Sequence, residues 1–331
     1  MANLRAGLIG LGMMGRHHAR VLASLEGVDL VAVADPGGDK FNVAGGRPVH
    51  ENIEQLIAEK LDYCMVAVPT QYHAEIAKAL AEAGVHAMIE KPLAGSSAEA
   101  TEIAKAFEAA GVVGAVGHIE RYNPALQHLR RRLENAELGE VYQVVTRRQG
   151  PFPARIADVG VVKDLATHDI DLTAWVTRRD YLSISARTVT KSGRPHEDMV
   201  TAVGELTGGI MVNHLVNWLS PFKERSTVVT GERGCFVADT LTADLTFYAN
   251  GVAATEWEAI RAFRGVSEGD MTRFAIAKRE PLLVEHERFR DAVLGKDAEI
   301  VTLREGLRTV QVAAAMLGSA ESGQTVTTLG R

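Results

Sequence analysis

From residue 4 to about residue 120, short apolar runs alternate with longer segments of helical periodicity. The apolar runs predict strands at residues 4–9, 29–34, 63–68, 87–89 and 112–116. The intervening segments, rich in Ala, Glu and Lys, predict helices at residues 17–25, 53–59, 71–83 and 97–110. Strands that alternate with helices specify a parallel sheet covered on both faces. The first part of the chain is therefore predicted to be a doubly wound α/β domain.

After residue 122 the pattern changes to strands that follow one another through glycine-containing turns. Predicted strands lie at residues 141–147, 182–190, 199–206, 210–217, 226–230 and 235–238. Helical periodicity marks residues 163–176, 282–294 and 303–320. This order predicts an α+β domain with an open, mostly antiparallel sheet. A chain of 331 residues is too long for one ordinary core, so we predict domains at 1–121 and 122–331, leaving open whether the last helix packs on the first domain.

Composition and charge exclude several classes of partner. The formal net charge of −6 and the pI near 6.0 give no overall attraction to nucleic acid or to an anionic membrane. No uncharged apolar run reaches the length of a membrane span. The apolar start contains three glycines and lacks a signal-peptide cleavage site, so a cytoplasmic location is expected. Cys64 lies in an apolar run and is predicted to pack as a small hydrophobic residue.

The glycines of the segment 10–15 form a dinucleotide-binding pattern between the first strand and the first helix. Gly10 permits a tight turn, Gly12 lets the backbone approach a pyrophosphate, and Gly15 lets the helix pack closely on the strand. The backbone N–H groups at the start of the helix, at Met13 and Met14, then face the phosphates.

Asp35 ends the second predicted strand and strengthens this interpretation. A carboxylate at that position accepts hydrogen bonds from the ribose hydroxyls and repels a 2′-phosphate. Because Pro36, Gly37 and Gly38 follow it rather than arginine, NAD is favoured over NADP, with Lys40 as the nearest cation.

Two further clusters stand where strands and helices meet. Glu90, Lys91 and Pro92 directly follow a predicted strand, and the lysine can reach the crevice beside a bound cofactor. Asp164 and His168 are four residues apart and share one face of a predicted helix, as a base and its orienting carboxylate do. A surface lysine and an ordinary helix pair are the alternatives, and no metal site is predicted.

Four segments, GLIGLGMMG, VAVPTQYH, EKP and DLATHDID, resemble in order and spacing the Gfo/Idh/MocA family of oxidoreductases. The resemblance extends over nearly the whole chain. It implies a Rossmann domain followed by an open-faced sheet domain, with Lys91, Asp164 and His168 as the catalytic group. In these roles His168 takes the hydroxyl proton, Asp164 orients His168, and Lys91 polarises the substrate oxygen. The residues that it implies along the cofactor are Val68, Pro69, Thr70, His73, Glu90 and Lys91.

The segments GHIERYNP and DVGV resemble the branch of the family that oxidises the 3-hydroxyl of UDP-N-acetylglucosamine or similar nucleotide sugars. The residues implied to contact the substrate are Arg121, Tyr122, Asn123, Arg155 and His168. Interdomain salt bridges of Arg121 and Arg155 are an equal alternative for these arginines. Inositol or another polyol is the alternative substrate, and a non-catalytic NAD-binding regulator is the alternative class. Since one face of an open sheet needs a cover, a homodimer or homotetramer through that face is expected.

Overall fold

The computed structural model describes residues 2–152, 159–251 and 267–328. It divides into two compact units. Unit 1 comprises Met1–Ile119 and Arg279–Ala314, and unit 2 comprises Glu120–Lys278 and Ala315–Arg331.

Unit 1 is built on a six-stranded parallel sheet. Its strands are β1 (Leu4–Ile9), β2 (Val28–Ala34), β3 (Val49–His50), β4 (Tyr63–Val66), β5 (His86–Glu90) and β6 (Gly114–Gly117). The order β3-β2-β1-β4-β5-β6 reverses direction between β1 and β4. In open α/β sheets the ligand crevice lies at such a switch point, outside the carboxyl ends of the strands.

Helices cover both faces of this sheet. They are α1 (Met13–Ser24), α2 (Ile53–Ile57), α3 (His73–Glu82) and α4 (Ser97–Ala110). Side chains that alternate along a strand enter different cores, so that Tyr63 and Met65 pack in one buried cluster and Cys64 and Val66 in the other. The core position of Cys64 confirms its predicted packing.

Unit 2 contains a nine-stranded, mostly antiparallel sheet. Its strands in chain order are β7 (Val141–Pro151), β8 (Tyr181–Val189), β9 (Met199–Leu206), β10 (Ile210–Asn217), β11 (Leu219–Gly231), β12 (Gly234–Asp239), β13 (Asp244–Gly251), β14 (Ser267–Arg273) and β15 (Val326–Thr327). Their spatial order is β14-β13-β12-β11-β7-β10-β9-β8-β15, and the pair β10–β7 is parallel.

One face of this sheet packs against helical segments of the same unit. These are α5 (Pro124–Glu134), a π-helical turn at Val162–Ala166 and α6 (Thr167–Thr177). Two further helices, α7 (Pro281–Val293) and α8 (Leu303–Ser322), complete the chain, and the division between the units falls within α8. The predicted fold class, α/β Rossmann followed by α+β with a mostly antiparallel sheet, is confirmed. Among the described residues, no helix combines the length and apolar character needed to cross a bilayer.

Candidate active site

The parallel strands of unit 1 bring the predicted cofactor segments to one edge of the sheet. Each segment directly follows the carboxyl end of a strand, because parallel strands all end at the same edge. The residues brought there after β1, β2, β4 and β5 are Gly10, Asp35, Val68 and Lys91.

The three glycines of the loop differ in the space that surrounds them. Gly10 has a φ of +93°, and a Cβ there would lie 2.5 Å from the carbonyl oxygen of Ala67. A Cβ on Gly15 would lie 1.9 Å from the carbonyl oxygen of Gly10, which fixes the close approach of α1 to the strand. A Cβ on Gly12 would meet no atom within 4 Å, so this side of the loop is open to a ligand.

Asp35 ties the second strand to this loop. Its Oδ2 accepts the backbone N–H of Leu11 at 2.8 Å, and its Oδ1 accepts that of Gly37 at 2.7 Å. A carboxylate has about four lone-pair sites, so both oxygens keep acceptor capacity for ribose hydroxyls. The start of α1 has no side-chain cap, which leaves its N–H groups available for phosphate. These residues fit a bound NAD.

His73 begins α3 and joins two of the predicted cofactor segments. Its Nε2 lies 3.0 Å from the carbonyl oxygen of Val68, and its Nδ1 lies 3.0 Å from that of Pro92. The side chain is only 1% exposed, so this histidine does not face solvent. Burial lowers its pKa below the usual value, although the carbonyl contacts oppose the shift. His73 thus fastens the segment after β4 to the segment after β5.

Glu90 contacts the first of two linked histidines that the sequence analysis did not identify. Its Oε1 lies 2.9 Å from Nε2 of His18, and Nδ1 of His18 lies 2.8 Å from Nε2 of His286. The other oxygen of Glu90 accepts the backbone N–H of Lys91 at 3.0 Å. All of these residues except the half-buried Lys91 are buried. The only local signal was the position of His18 on α1, three residues after Gly15.

In unit 2, Asp164 and His168 lie at the start of the helical segment that packs on the sheet. Asp164 is buried in the π-helical turn, where its N–H donates to the carbonyl oxygen of Gly160 at 3.1 Å. His168 is half-buried in the first turn of α6. A π-helical turn inside a helix is rare and occurs frequently at functional sites. The predicted continuous helix at 163–176 therefore changes type between these two residues.

The residues proposed to contact substrate have mixed surroundings. Arg121 is 5% exposed and forms a bidentate ion pair with Asp171, with nitrogen–oxygen distances of 2.8 and 2.6 Å. Asn123 caps α5: its Oδ1 accepts the N–H of Ala125, and its Nδ2 donates to the carbonyl oxygen of Thr240. An Asn followed by Pro at the first helical position is a helix-start signal that could have been recognised.

Tyr122 is buried, at 7% exposed, in the same segment as Arg121 and Asn123. Arg155 lies outside the described residues.

A buried set of charges beside α6 was missed. Arg148, 2% exposed, donates to Glu120 at 2.8 Å and to Asp169 at 3.0 Å. Burial raises the pKa of Asp169 to about 6, against the opposing charge of Arg148. The available signal was the inward position of Arg148, two residues beyond Thr146 on β7.

Two family models match the chain, one on each side of residue 120. Residues 4–118 match a model described as an oxidoreductase family with an NAD-binding Rossmann fold. Residues 126–237 match the GFO/IDH/MocA C-terminal domain. The chain belongs to the Gfo/Idh/MocA oxidoreductase family. It is an NAD-dependent dehydrogenase that acts on a CH–OH group, which confirms the predicted cofactor and enzyme class.

Similar proteins include dehydrogenases of two substrate types. UDP-N-acetylglucosamine 3-dehydrogenase of Acidithiobacillus ferrooxidans is 28% identical over 88% of this chain and 90% of its own length. Inositol 2-dehydrogenase 2 of Saccharopolyspora erythraea is 27% identical over 97% of this chain and 94% of its own. A solved structure of the Acidithiobacillus enzyme superposes with a TM-score of 0.85 at 27% identity, covering 97% of this chain and 99% of that chain.

Proposed function

We propose that the protein oxidises a secondary hydroxyl of a nucleotide sugar, the 3-hydroxyl of UDP-N-acetylglucosamine or a close analogue. The observation that carries the proposal is the presence of Lys91, Asp164 and His168 on the two-domain fold of the family. Lys91 follows β5 of the NAD-binding unit, Asp164 lies in the π-helical turn, and His168 lies in the first turn of α6. The similarity to UDP-N-acetylglucosamine 3-dehydrogenase over 88% of the chain supports the choice of substrate.

Each residue of this set has a role that its surroundings support. His168 is half-buried and takes the hydroxyl proton, and buried Asp164 orients its imidazole. Lys91, also half-buried, stabilises the negative charge that develops on the substrate oxygen. Bound NAD supplies the hydride acceptor. The carbon-bound hydrogen leaves with its electron pair as the O–H proton passes to His168, and the alcohol becomes a ketone.

An inositol or another polyol is the second candidate substrate. The similarity to inositol 2-dehydrogenase 2 extends over 97% of the chain. In addition, Arg121 already makes a bidentate ion pair with Asp171, so one of the guanidinium groups proposed for phosphate recognition has a structural partner. An uncharged substrate needs no such group.

The experiment measures formation of reduced cofactor by the purified protein with NAD and, separately, UDP-N-acetylglucosamine and myo-inositol. We expect turnover of the nucleotide sugar. Turnover of inositol alone would assign the second candidate, and NAD binding without turnover of either would favour a regulatory protein.

His168→Ala tests the proposed chemistry directly. It should abolish turnover because the proton acceptor is lost, and it should leave NAD affinity unchanged. Retention of turnover in this variant would refute the proposed role of His168.

We also propose that a second copy of the chain covers the open face of the nine-stranded sheet. Large apolar side chains on that face are exposed, with Val203 at 45%, Met211 at 49%, Tyr248 at 45% and Met271 at 63%. Large exposed apolar side chains on one face are typical of protein interfaces. An isologous dimer would bury the same face on both copies.

A further inference from the structure

A chain of hydrogen bonds links three elements of unit 1 to the backbone of Lys91. His286 of α7 lies 2.8 Å from His18 of α1, which lies 2.9 Å from Glu90 at the end of β5. The two histidines are 0% exposed and Glu90 is 8% exposed. The second oxygen of Glu90 accepts the Lys91 N–H at 3.0 Å. The cluster is therefore closed to water at one end and reaches a proposed catalytic residue at the other.

The surroundings of these groups determine the direction of the hydrogen bonds. Burial favours the neutral form of Glu90, but the bond from His18 and the nearby Lys91 charge outweigh it and lower the pKa of the carboxyl. Burial holds the pKa of His286 well below its usual value, so His286 is neutral. The ionised Glu90 is an acceptor only, and Nε2 of His18 must donate to it.

The remaining nitrogens then have defined states. Nδ1 of His286 has no hydrogen-bond partner among the described residues. A buried lone pair without a partner costs less than a buried N–H without one, so this nitrogen is unprotonated and Nε2 of His286 carries the proton. His286 therefore donates to Nδ1 of His18, and His18 donates to Glu90.

Burial of polar groups at these positions costs free energy. A requirement for one specific geometry would explain why they are present. A buried network that is hydrogen-bonded fixes one arrangement of its members, whereas apolar residues of similar volume fill the same space without desolvation. Gly117 supports the arrangement from β6, because a Cβ there would lie 3.3 Å from the carboxyl carbon of Glu90. The carboxyl group of Glu90 thus packs closely against β6 at this glycine.

We propose that His286 and His18 are positioning residues that orient Glu90 and, through it, hold Lys91 in place for hydride transfer. The inference rests on the catalytic role proposed for Lys91. His286 and His18 act only through Glu90.

Nuclear magnetic resonance of the ¹⁵N-histidine-labelled, NAD-free protein tests the arrangement without any turnover. We expect a proton on Nε2 and none on Nδ1 in the rings of both His18 and His286, with assignments from the His18→Gln and His286→Gln variants. A doubly protonated ring or an Nδ1–H tautomer at either position would overturn the hydrogen-bond direction on which the proposal depends.

A matched pair of variants tests the effect on Lys91. His286→Gln retains an N–H donor near the position of Nε2, whereas His286→Leu removes it. We expect the backbone amide resonance of Lys91 to move in His286→Leu and to stay near its wild-type position in His286→Gln. His17→Gln is the control variant, because His17 is an exposed histidine next to His18 on α1. It should leave the Lys91 resonance in place. An unmoved Lys91 resonance in His286→Leu would refute the proposal.

Kinetics with NAD and UDP-N-acetylglucosamine, or with myo-inositol if only that compound is oxidised, separate this inference from the proposed function. His286→Leu should lower kcat about tenfold, equivalent to about 1.4 kcal/mol of barrier, with the KM for NAD unchanged, and His286→Gln should restore it. If Lys91→Met retains wild-type kcat, the proposed function fails. If Lys91→Met abolishes turnover while His286→Leu keeps wild-type kcat, the positioning role of His286 is refuted and the proposed function stands.

Discussion

At the scale of single residues, Gly12 and Gly15 differ in whether the structure has room for a side chain. A Cβ has no neighbour within 4 Å at Gly12, whereas at Gly15 it lies 1.9 Å from the carbonyl oxygen of Gly10. Gly12→Ala should therefore leave the thermal unfolding midpoint within about 2 °C of wild type. It should weaken NAD binding about tenfold or more, because the methyl group occupies space that the pyrophosphate approaches. Gly15→Ala should lower the unfolding midpoint itself.

Differential scanning fluorimetry and titration of NADH fluorescence measure the two effects. Gly318→Ala is the control, since a Cβ at this half-buried position of α8 also meets no atom within 4 Å. Wild-type NAD affinity in Gly12→Ala would contradict the assignment of this loop as the phosphate site.

The glycine loop and Asp35 could be predicted because their requirements are local: a strand, a turn and a helix adjacent in sequence. The contacts of His18 could not. Its partners Glu90 and His286 lie 72 and 268 residues away in the chain. Such contacts depend on which helices pack on which face, and hydrophobic periodicity does not specify that.

His214 on β10 makes the stability of unit 2 depend on pH. Its ring bonds to Oγ1 of Thr146 at 2.7 Å and to the hydroxyl of Tyr181 at 2.9 Å, and burial lowers its pKa to about 4. In the unfolded chain a histidine titrates near pH 6.5. As pH falls from about 6.5 to 4 the unfolded state therefore takes up the proton first. Stability present at higher pH is lost over this window, by up to about 3 kcal/mol.

His214→Gln should flatten this dependence, because glutamine does not titrate. Urea unfolding at pH 7.5 and pH 5, followed by tryptophan fluorescence, measures it, since all three tryptophans lie within residues 120–278. The exposed His17, changed to Gln, should keep the wild-type dependence. Equal losses of stability in His214→Gln and wild type would show that His214 is not the group responsible.

At the scale of elements, the helical segment that carries Asp164 is capped at its start by Glu197, which lies between β8 and β9. The carboxylate of Glu197 accepts the N–H of Val162 at 2.9 Å, and its carbonyl oxygen accepts that of Val161 at 3.0 Å. A Cβ on Gly160 would lie 2.1 Å from that carboxylate, so only glycine leaves room for it. Glu197 thus fixes where the π-helical turn starts.

Glu197→Ala should lower kcat several-fold, because the turn that holds Asp164 loses its cap, and should cost about 1 kcal/mol of unfolding free energy. Steady-state kinetics and urea unfolding measure the two. Glu197→Gln keeps an acceptor oxygen and should remain near wild type, whereas Gly160→Ala should behave like Glu197→Ala. A wild-type kcat in Glu197→Ala would show that the cap does not position Asp164.

Elements were predicted well where the alternation of buried and exposed residues is strong. Met199–Leu206 and Ile210–Asn217 have the predicted bounds. β13 and β14 were not predicted. In β13, polar residues such as Asp244 and Asn250 interrupt the pattern, and many of its positions are only partly buried. The first part of β11 was also missed, because its paired register is irregular between Leu219 and Glu224 and its side chains are mostly exposed.

At the scale of the whole molecule, the sequence predicts a Rossmann domain followed by an α+β domain. It does not indicate what covers the open face of the nine-stranded sheet. Nine strands at a spacing of about 4.8 Å give a face roughly 40 Å wide. A stable interface buries about 800 Å² on each partner, which is available on a face of this width.

The proposed dimer predicts that one charge on this face separates the copies. Met211→Glu places a carboxylate at a position that is 49% exposed, opposite Glu205 on β9 and Gln143 on β7. Burial of an unpaired charge in an apolar interface costs several kcal/mol, so this variant should be monomeric at micromolar concentration while the wild type is a dimer or tetramer. Light scattering coupled to gel filtration measures the mass.

Leu241→Glu adds the same charge in the turn between β12 and β13 and should leave the oligomer intact. A monomeric wild type would refute the proposed interface, and an oligomeric Met211→Glu would move it to another surface.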